Sequence, residues 1–220
     1  MNLKVIAHIR NDFTAKFGIP RQSGLVSEVC STIEFTPEYR NADALRGLDG
    51  YSHLWLIWEF SKAVQEGWSP TVRPPRLGGN TRMGVFATRS PYRPNSLGLS
   101  SVKIEKIDLK RVEITVSGAD LLNGTPIFDI KPYLPYTDSH PDAKGGFAFG
   151  PGEGTVEVDC PAELLEPVPA EKRAGLLALL AQDPRPGYAD DPHRIYGMEY
   201  AGFEVKFTVS GGRLTVLEIQ

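Results

Sequence analysis

The chain has 220 residues, of which 41% are hydrophobic and 23% charged, and its formal net charge is −3. This composition is that of an ordinary soluble globular protein, and its slight acidity excludes RNA binding through overall charge, so an RNA site has to be a local basic patch. The two cysteines, Cys30 and Cys160, imply neither a disulfide scaffold nor a structural zinc site. The N-terminus has too short an apolar run for a signal peptide. We therefore expect a cytoplasmic protein.

The first part of the chain predicts short strands separated by glycine and proline. These segments are β-branched or aromatic, and they lie at residues 3–10, 25–35, 51–60, 82–89, 98–108, 111–118 and 126–131. Residues 37–47 predict a short helix, with Pro37 at an early helical position and Gly47 at its end. Short strands with few helices predict a mainly β protein built as a barrel or a sandwich.

The composition changes near residue 138, which predicts a domain boundary. Residues 139–154 are small, polar and glycine-rich, as is typical of a linker. We predict a first domain at residues 1–138 and a small α+β domain at residues 155–220. The elements expected in the second domain are a strand at 155–160, a helix at 170–182, and a hairpin of 202–209 and 213–219.

The stretch from Gly67 to Ile104 contains no Asp or Glu, although the chain as a whole has more acids than bases. Its basic residues are Arg73, Arg76, Arg82, Arg89, Arg93 and Lys103. A guanidinium group can pair with two phosphate oxygens at once, and Trp68 and Tyr92 could stack on RNA bases. The alternative is that the arginines pair with carboxylates elsewhere, such as Glu59. Taken as a whole, the cluster predicts a site for an anionic ligand.

Five motifs extend over nearly the whole chain. They are FGIPRQ at 17–22, LRGLDGYSHLWLIWEF at 45–60, RPPRLGGNTRMGVFATRSPYRPNSLGLS at 73–100, GADLLNGTPIFDIKPYLPY at 118–136 and LLAQDPRPGY at 179–188. Together they resemble the TrmO (TsaA-like) family of tRNA adenine-N6 methyltransferases. The resemblance implies an antiparallel β-barrel that binds S-adenosylmethionine. It also implies methylation of N6 of threonylcarbamoyladenosine at position 37 beside the anticodon, chiefly in threonine tRNA, by homodimers that place the donor near a subunit interface.

The resemblance further implies a pocket for the methyl donor. In it, Arg21 would face the methionine carboxylate, Gln22 the ribose or adenine, and Asp120 the ribose hydroxyls or the ammonium group. Without the resemblance, an ordinary surface loop is the better interpretation of Pro20–Gln22. The residues implied for the pocket are Pro20, Arg21, Gln22, Ser61, Lys62, Arg89, Leu99, Asp120, Leu121, Leu122, Asn123, Gly124 and Thr125.

The acceptor nitrogen of the modified nucleoside is attached to a carbonyl, so its proton is more acidic than that of plain adenine and a strong general base is not required. If a base acts, the candidates are Asp129, Tyr133 and Asp138, with Lys131 as an electrostatic helper. The alternative is a surface ion pair of Asp129 with Lys131 and a packed Tyr133. His53 is expected to be a core histidine. The remaining histidines have no metal-ligand spacing, and no metal is expected.

The residues predicted to contact tRNA come from two segments. Arg73, Arg76, Arg82 and Arg93 lie in the acid-free stretch, and Arg185 and Tyr188 lie in the DPRPGY segment at 183–188. Two prolines fix this last segment and can present its arginine and tyrosine outward. The alternative is a helix stop with a packed tyrosine.

The sequence departs from the family pattern in three places. Ser61 stands where the family commonly has His, Ser96-Leu97 where it has Pro-Ile, and Asn123 where it has Asp. A glycine-rich segment at 150–154 is followed by a strand rather than a helix, and is not expected to bind a nucleotide. Two other functions stay open, a non-catalytic module for a nucleoside-like or anionic ligand and a methyltransferase with another substrate.

Overall fold

The computed structural model describes residues 2–63, 67–148, 155–186 and 191–220. Its helices are short except for the last, and several single turns of 3-10 helix connect the strands. The α-helices are α1 (Pro135–Asp138), α2 (Ala162–Leu165) and α3 (Ala170–Ala181), and the 3-10 helices are Ala42–Leu45, Leu48–Gly50, Pro75–Leu77 and Val85–Ala87. The strands are β1 (Ala7–Arg10), β2 (Cys30–Phe35), β3 (His53–Glu59), β4 (Thr71–Val72), β5 (Met83–Gly84), β6 (Leu97–Asp108), β7 (Glu113–Ser117), β8 (Pro126–Pro132), β9 (Glu157–Asp159), β10 (Tyr196–Tyr200), β11 (Phe203–Ser210) and β12 (Arg213–Ile219).

Six antiparallel strands close into a barrel in the order β1-β2-β7-β6-β3-β8. The alternation of the sequence decides which side chains face inward, because successive side chains of a strand point to opposite faces. In β3, for example, Leu54, Leu56 and Trp58 are buried, whereas Trp55 and Ile57 are only partly buried. The predicted mainly β fold with an antiparallel barrel is confirmed.

A second sheet follows the barrel, with strand order β10-β11-β12-β9, in which β9 runs parallel to β12. Helix α3 buries Leu176, Leu179 and Leu180 in the core of this second unit. The predicted helix and the predicted hairpin at Gly211-Gly212 are both present. None of the described helices has the length and apolar character needed to cross a membrane.

The loop between β1 and β2 joins the two units. Phe13, Val26 and Val29 are buried in the core of the second unit, although they lie early in the chain. Asp12 forms an ion pair with Lys172 of α3. The loop between β1 and β2, which was predicted to belong to the barrel domain alone, therefore also contributes side chains to the core of the second unit. The boundary predicted at 139–154 stays a prediction, since residues 149–154, with the glycine-rich segment, lie outside the described residues.

Two predicted elements are wrong. Residues 37–47 do not form one helix, because Asn41 is extended (φ −129°, ψ 120°) and only Ala42–Leu45 form a single 3-10 turn. Residues 82–89 do not form a strand beyond Met83–Gly84, because the chain turns at Val85–Ala87. The strand β10 and the helix α2 were not predicted from the sequence.

Candidate active site

A cleft of about 540 Å³ opens where β3 ends and β6 begins. Apolar and aromatic side chains of the barrel form one wall, and the loop after β1 and the segment after β5 supply polar groups. Most of the residues predicted for the methyl donor lie in its lining, namely Pro20, Arg21, Gln22, Ser61, Lys62, Arg89, Leu99, Asp120, Leu122 and Thr125. The structure thus brings together residues as far apart in the sequence as Pro20 and Thr125.

A chain of hydrogen bonds connects the barrel interior with this cleft. The indole Nε1 of Trp58 donates to Ser100 Oγ at 2.9 Å, and Ser100 Oγ donates to Asp120 Oδ1 at 2.6 Å. Burial raises the pKa of Asp120, while the bond from Ser100 and the charge of Arg89 oppose the shift. The carboxylate is therefore fixed in direction and poorly hydrated, as is useful for binding hydroxyl or ammonium groups.

Gly98 makes the position of Trp58 possible. A Cβ atom at Gly98 would lie 2.2 Å from the Trp58 ring, so any other residue would displace the indole. Sequence analysis missed Trp58, Gly98 and Ser100 as parts of the site. The available signal was the period of two, since Ser100 is a polar residue at an inward-facing position of β6, two residues from Gly98.

The loop after β1 is held from two sides. Gln22 Oε1 accepts a hydrogen bond from Arg89 Nη1. Arg21 Nη2 donates to the backbone carbonyls of Asp183 at 3.0 Å and Arg185 at 2.7 Å. Arg21 thus lines the cleft but also fastens it to the segment after α3. Its predicted contact with the methionine carboxylate stays a prediction.

Three residues predicted for the donor pocket are not part of its lining. Leu121 is fully buried in the barrel core. Asn123 Oδ1 accepts a hydrogen bond from the backbone N–H of Asn11 at 3.2 Å, and the Gly124 N–H donates to the Ile9 carbonyl at 2.8 Å. These contacts fasten the 120–125 loop to the end of β1. In the structure, Asn123 and Gly124 therefore hold in place the loop that carries Asp120.

The four residues predicted for catalysis lie beside the cleft rather than in its lining. Asp129 and Lys131 form an ion pair of 2.9 Å on the barrel surface, as the alternative interpretation expected. Asp138 accepts hydrogen bonds from the Leu134 N–H at 2.9 Å and from Trp55 Nε1 at 2.8 Å. These bonds lower the pKa of Asp138, which weakens it as a base.

Tyr133 and Trp55 connect this group to the cleft. The ring centroids of Tyr133 and Trp55 are 5.5 Å apart, and Trp55 itself lines the cleft. His53 also contacts Tyr133, at 6.1 Å between centroids. A catalytic role for Asp129, Lys131, Tyr133 and Asp138 stays a prediction.

A second cleft, of about 960 Å³, adjoins the first. Arg73, Arg82, Arg89 and Arg93 line it, and Arg89 and Arg93 line the first cleft as well. Among the described residues, its lining contains no carboxylate. The acid-free stretch of the sequence thus supplies these four arginines, here called the arginine wall, and two of them line both clefts.

The remaining residues predicted for tRNA lie elsewhere. Arg76 is part of the 3-10 turn Pro75–Leu77 and does not line either cleft. Both side-chain oxygens of Asp183 accept hydrogen bonds from Arg185, at 2.8 Å each, and the pair is largely buried. Tyr188 lies outside the described residues. In the part of the chain that the structure covers, no group of three or more His, Cys, Asp or Glu side chains could hold a metal ion.

The comparisons with known proteins cover both units of the chain. Residues 8–139 match the tRNA-methyltransferase O N-terminal domain, and residues 162–220 match the TrmO C-terminal domain. The tRNA (adenine(37)-N6)-methyltransferase of Escherichia coli is 40% identical over 225 residues, which cover 98% of this chain and 96% of that protein. A Pseudomonas aeruginosa relative, whose name describes S-adenosylmethionine-dependent methyl transfer, is 42% identical over 212 residues, or 91% of this chain and 89% of that protein.

The likeness extends to solved structures. The crystal structure of TrmO from Pseudomonas aeruginosa superposes with a TM-score of 0.81 at 31% identity, covering 100% of this chain and 98% of that one. These relatives, together with the shared barrel fold, make the chain an S-adenosylmethionine-dependent methyltransferase. The chain belongs to the tRNA-methyltransferase O family. The resemblance in the motifs, the enzyme class and the donor are thereby confirmed.

Proposed function

We propose that the chain methylates N6 of N6-threonylcarbamoyladenosine at position 37 of tRNA, in threonine tRNA, with S-adenosylmethionine as donor. The observation that carries the proposal is the pair of adjoining clefts, one with the buried carboxylate of Asp120 and one with the arginine wall. A relative named tRNA (adenine(37)-N6)-methyltransferase supports position 37. The threonylcarbamoyl group and the threonine tRNA rest on the resemblance of the motifs.

The chemistry of the first cleft fits the donor. Asp120 offers a carboxylate for the ribose hydroxyls or the ammonium group, and Trp58, Leu97 and Leu99 offer apolar surface for the adenine ring. When bound, S-adenosylmethionine supplies a methyl group activated by its sulfonium. Because methyl transfer is an in-line displacement, the task of these residues is to orient the donor and to exclude water.

The reaction does not require a strong general base, because the carbonyl attached to N6 makes its proton more acidic. The two bonds that lower the pKa of Asp138 make its carboxylate a better acceptor for positioning than for removing a proton. Tyr133 and the Asp129–Lys131 pair lie on the same outer surface, beside Trp55. We propose that these four residues orient the acceptor nucleoside, whose acidified N6 proton passes to solvent water as the methyl group is transferred.

We also propose that the enzyme is a homodimer that uses this outer surface. Leu99 is 57% exposed and faces outward on β6, opposite Ile57 of β3, so the cleft has an uncovered apolar rim. A second copy over this rim would shield the donor from water. Sedimentation at several concentrations tests it, with a dimer expected. A monomer at micromolar concentration would contradict the dimer.

The proposal includes where the enzyme works and how the chain is divided. We place it in the cytoplasm, where tRNA is modified. The donor-binding and catalytic domain comprises residues 1–138, and the small α+β domain comprises residues 155–220. Co-expression of the two parts as separate chains tests the division, and we expect them to associate into a folded complex. Because Phe13 and Val29 belong to the second core, we expect residues 155–220 alone to be unstable.

The experiment that tests the substrate mixes the purified protein with labelled donor and two tRNA pools. One pool carries threonylcarbamoyladenosine and the other comes from cells that cannot make it. We expect label only on the first pool. Label on both pools would favour a methyltransferase with another substrate, and donor binding without transfer would favour a non-catalytic binding module.

A further inference from the structure

Two exposed aromatic side chains stack on each other beside the arginine wall. The rings of Trp68 and Phe86 lie 6.0 Å apart between centroids and are inclined by 29°. Trp68 is 53% exposed and Phe86 is 70% exposed. Neither residue belongs to the core of the barrel or to that of the second unit. Their packing on each other thus leaves a broad aromatic surface in contact with water.

The turn that carries Phe86 is fixed by an arginine. Arg93 Nη1 donates to the carbonyls of Val85 at 3.0 Å and Thr88 at 2.7 Å, and its guanidinium carbon lies 5.6 Å from the centroid of the Phe86 ring. Arg93 was predicted to contact phosphate, and these bonds give it a structural part in holding the turn. The aromatic surface is therefore built in advance of any ligand, which lowers the entropic cost of binding.

The surroundings indicate what binds there. Trp68 lines the second cleft together with Arg73 and Arg82, and its lining among the described residues contains no carboxylate. A ligand that suits this surface needs a flat ring for the aromatic pair and a negative charge for the arginines. An unpaired nucleotide has both, because every base has a π face and every linkage a phosphate.

We propose that Trp68 and Phe86 form a platform on which an unpaired base of the tRNA anticodon loop stacks. This inference rests on the proposed function, since it names how the same enzyme holds the loop around its target adenosine. Sequence analysis pointed to Trp68 and Tyr92 as stacking residues. The sequence did not point to Phe86, because its partner Trp68 lies 18 positions away in a segment without regular periodicity.

The test measures binding of a synthetic, unmodified anticodon stem-loop at several salt concentrations. In the W68A/F86A double variant, affinity should fall about tenfold or more, as expected for loss of base stacking. The slope of affinity against salt should stay unchanged, because no charge is removed. The conservative variants W68Y and F86Y should keep most of the affinity, and donor affinity should be unchanged in all of them.

Tyr51 provides a matched control. It is an exposed aromatic residue just before β3, at the opposite end of that strand from the cleft. The variant Y51A should bind the stem-loop like the parent protein. Unchanged affinity in W68A/F86A would overturn the platform, as would dissociation of a dimer in that variant with normal RNA binding, because the pair would then be a contact between copies.

Failure of the aromatic platform can be distinguished from failure of the proposed methyl transfer. If the parent protein methylates threonylcarbamoylated tRNA while W68A/F86A binds the stem-loop normally, the platform fails and the proposed function stands. If the parent protein binds the stem-loop through the aromatic pair but transfers no methyl group, the platform stands and the proposed function fails.

Discussion

Ser100 fixes the carboxylate of Asp120 through a hydrogen bond of 2.6 Å, and it does so while accepting a bond from Trp58. A residue of the buried barrel interior thereby sets the direction of a group in the donor cleft. Asp120 is the only member of this chain of bonds that sequence analysis predicted. Its orientation depends on two residues that the sequence motifs did not assign to the donor pocket.

We expect Ser100→Ala to lower both stability and donor affinity. The change leaves Trp58 Nε1 buried without its acceptor and Asp120 without one of its donors, at a cost of about 1–3 kcal/mol in the free energy of unfolding. Chemical denaturation and donor titration measure the two effects. Ser101→Ala is the control, because Ser101 faces the other side of β6. Equal behaviour of the two variants would show that the bond has no role.

We expect Asp120→Asn to stabilise the protein at neutral pH and to weaken donor binding. Burial raises the pKa of Asp120 in the folded chain, so the folded state holds the proton more tightly than the unfolded state does. The stability this provides is present at low pH and is lost as the pH rises through the folded pKa. Removing the charge should raise the Tm at pH 7.

Asp108 supplies the comparison for that measurement. Backbone hydrogen bonds from Arg111 and Lys110 lower the pKa of Asp108, so its charge stabilises the fold at neutral pH and that stability is lost on acidification. The variant D108N should therefore lower the Tm at pH 7, in the direction opposite to D120N. A lower Tm in both variants would contradict our account of Asp120.

We expect Arg21→Ala to loosen the attachment of the donor cleft to the segment after α3. The variant lacks the two bonds from Arg21 Nη2 to the carbonyls of Asp183 and Arg185. Exchange of the amide hydrogens of Asp183 and Arg185 should become faster, and donor affinity should fall by about tenfold, equivalent to about 1.4 kcal/mol. Arg46→Ala, at an exposed ion pair with Asp43, is the control. Slow exchange retained in R21A would refute this role of Arg21.

We expect the salt dependence of tRNA affinity to distinguish Arg73 and Arg82 of the second cleft from Arg89, which lines both clefts. Replacing Arg73 or Arg82 with Gln should reduce the slope of log affinity against log salt by about 0.7–0.9 for each phosphate that the protein no longer neutralises. Arg89→Gln should mainly weaken donor binding, since Arg89 holds Gln22 in the first cleft. Binding of tRNA by R73Q/R82Q with the parental slope would exclude these residues as phosphate ligands.

The strands of the barrel could be predicted because their periodicity is local. Residues 51–60 and 98–108 alternate between the core and the surface, and both appear as strands within a few residues of the expected bounds. The turn at Val85–Ala87 could not be predicted, because it is fixed by the side chain of Arg93, several residues further on. Bonds from side chain to backbone leave no periodic pattern in a sequence.

Ten of the residues predicted for the donor pocket line the first cleft, but the sequence did not show which of the predicted residues make internal contacts. The motifs pointed to Arg21, Asn123 and Arg185, and the structure shows that each also makes an internal contact, with Arg21 and Arg185 meeting at one segment. A motif marks residues that act together in space. It does not distinguish a group that touches a ligand from one that holds such a group in place.

The central claim is that this enzyme forms N6-methyl-N6-threonylcarbamoyladenosine in tRNA. The most direct measurement is nucleoside analysis of tRNA from cells that lack the protein, with and without the gene restored. We predict that the methylated nucleoside disappears, that unmethylated threonylcarbamoyladenosine increases by the same amount, and that the restored gene reverses both. An unchanged pool of the methylated nucleoside in the deficient cells would contradict the claim.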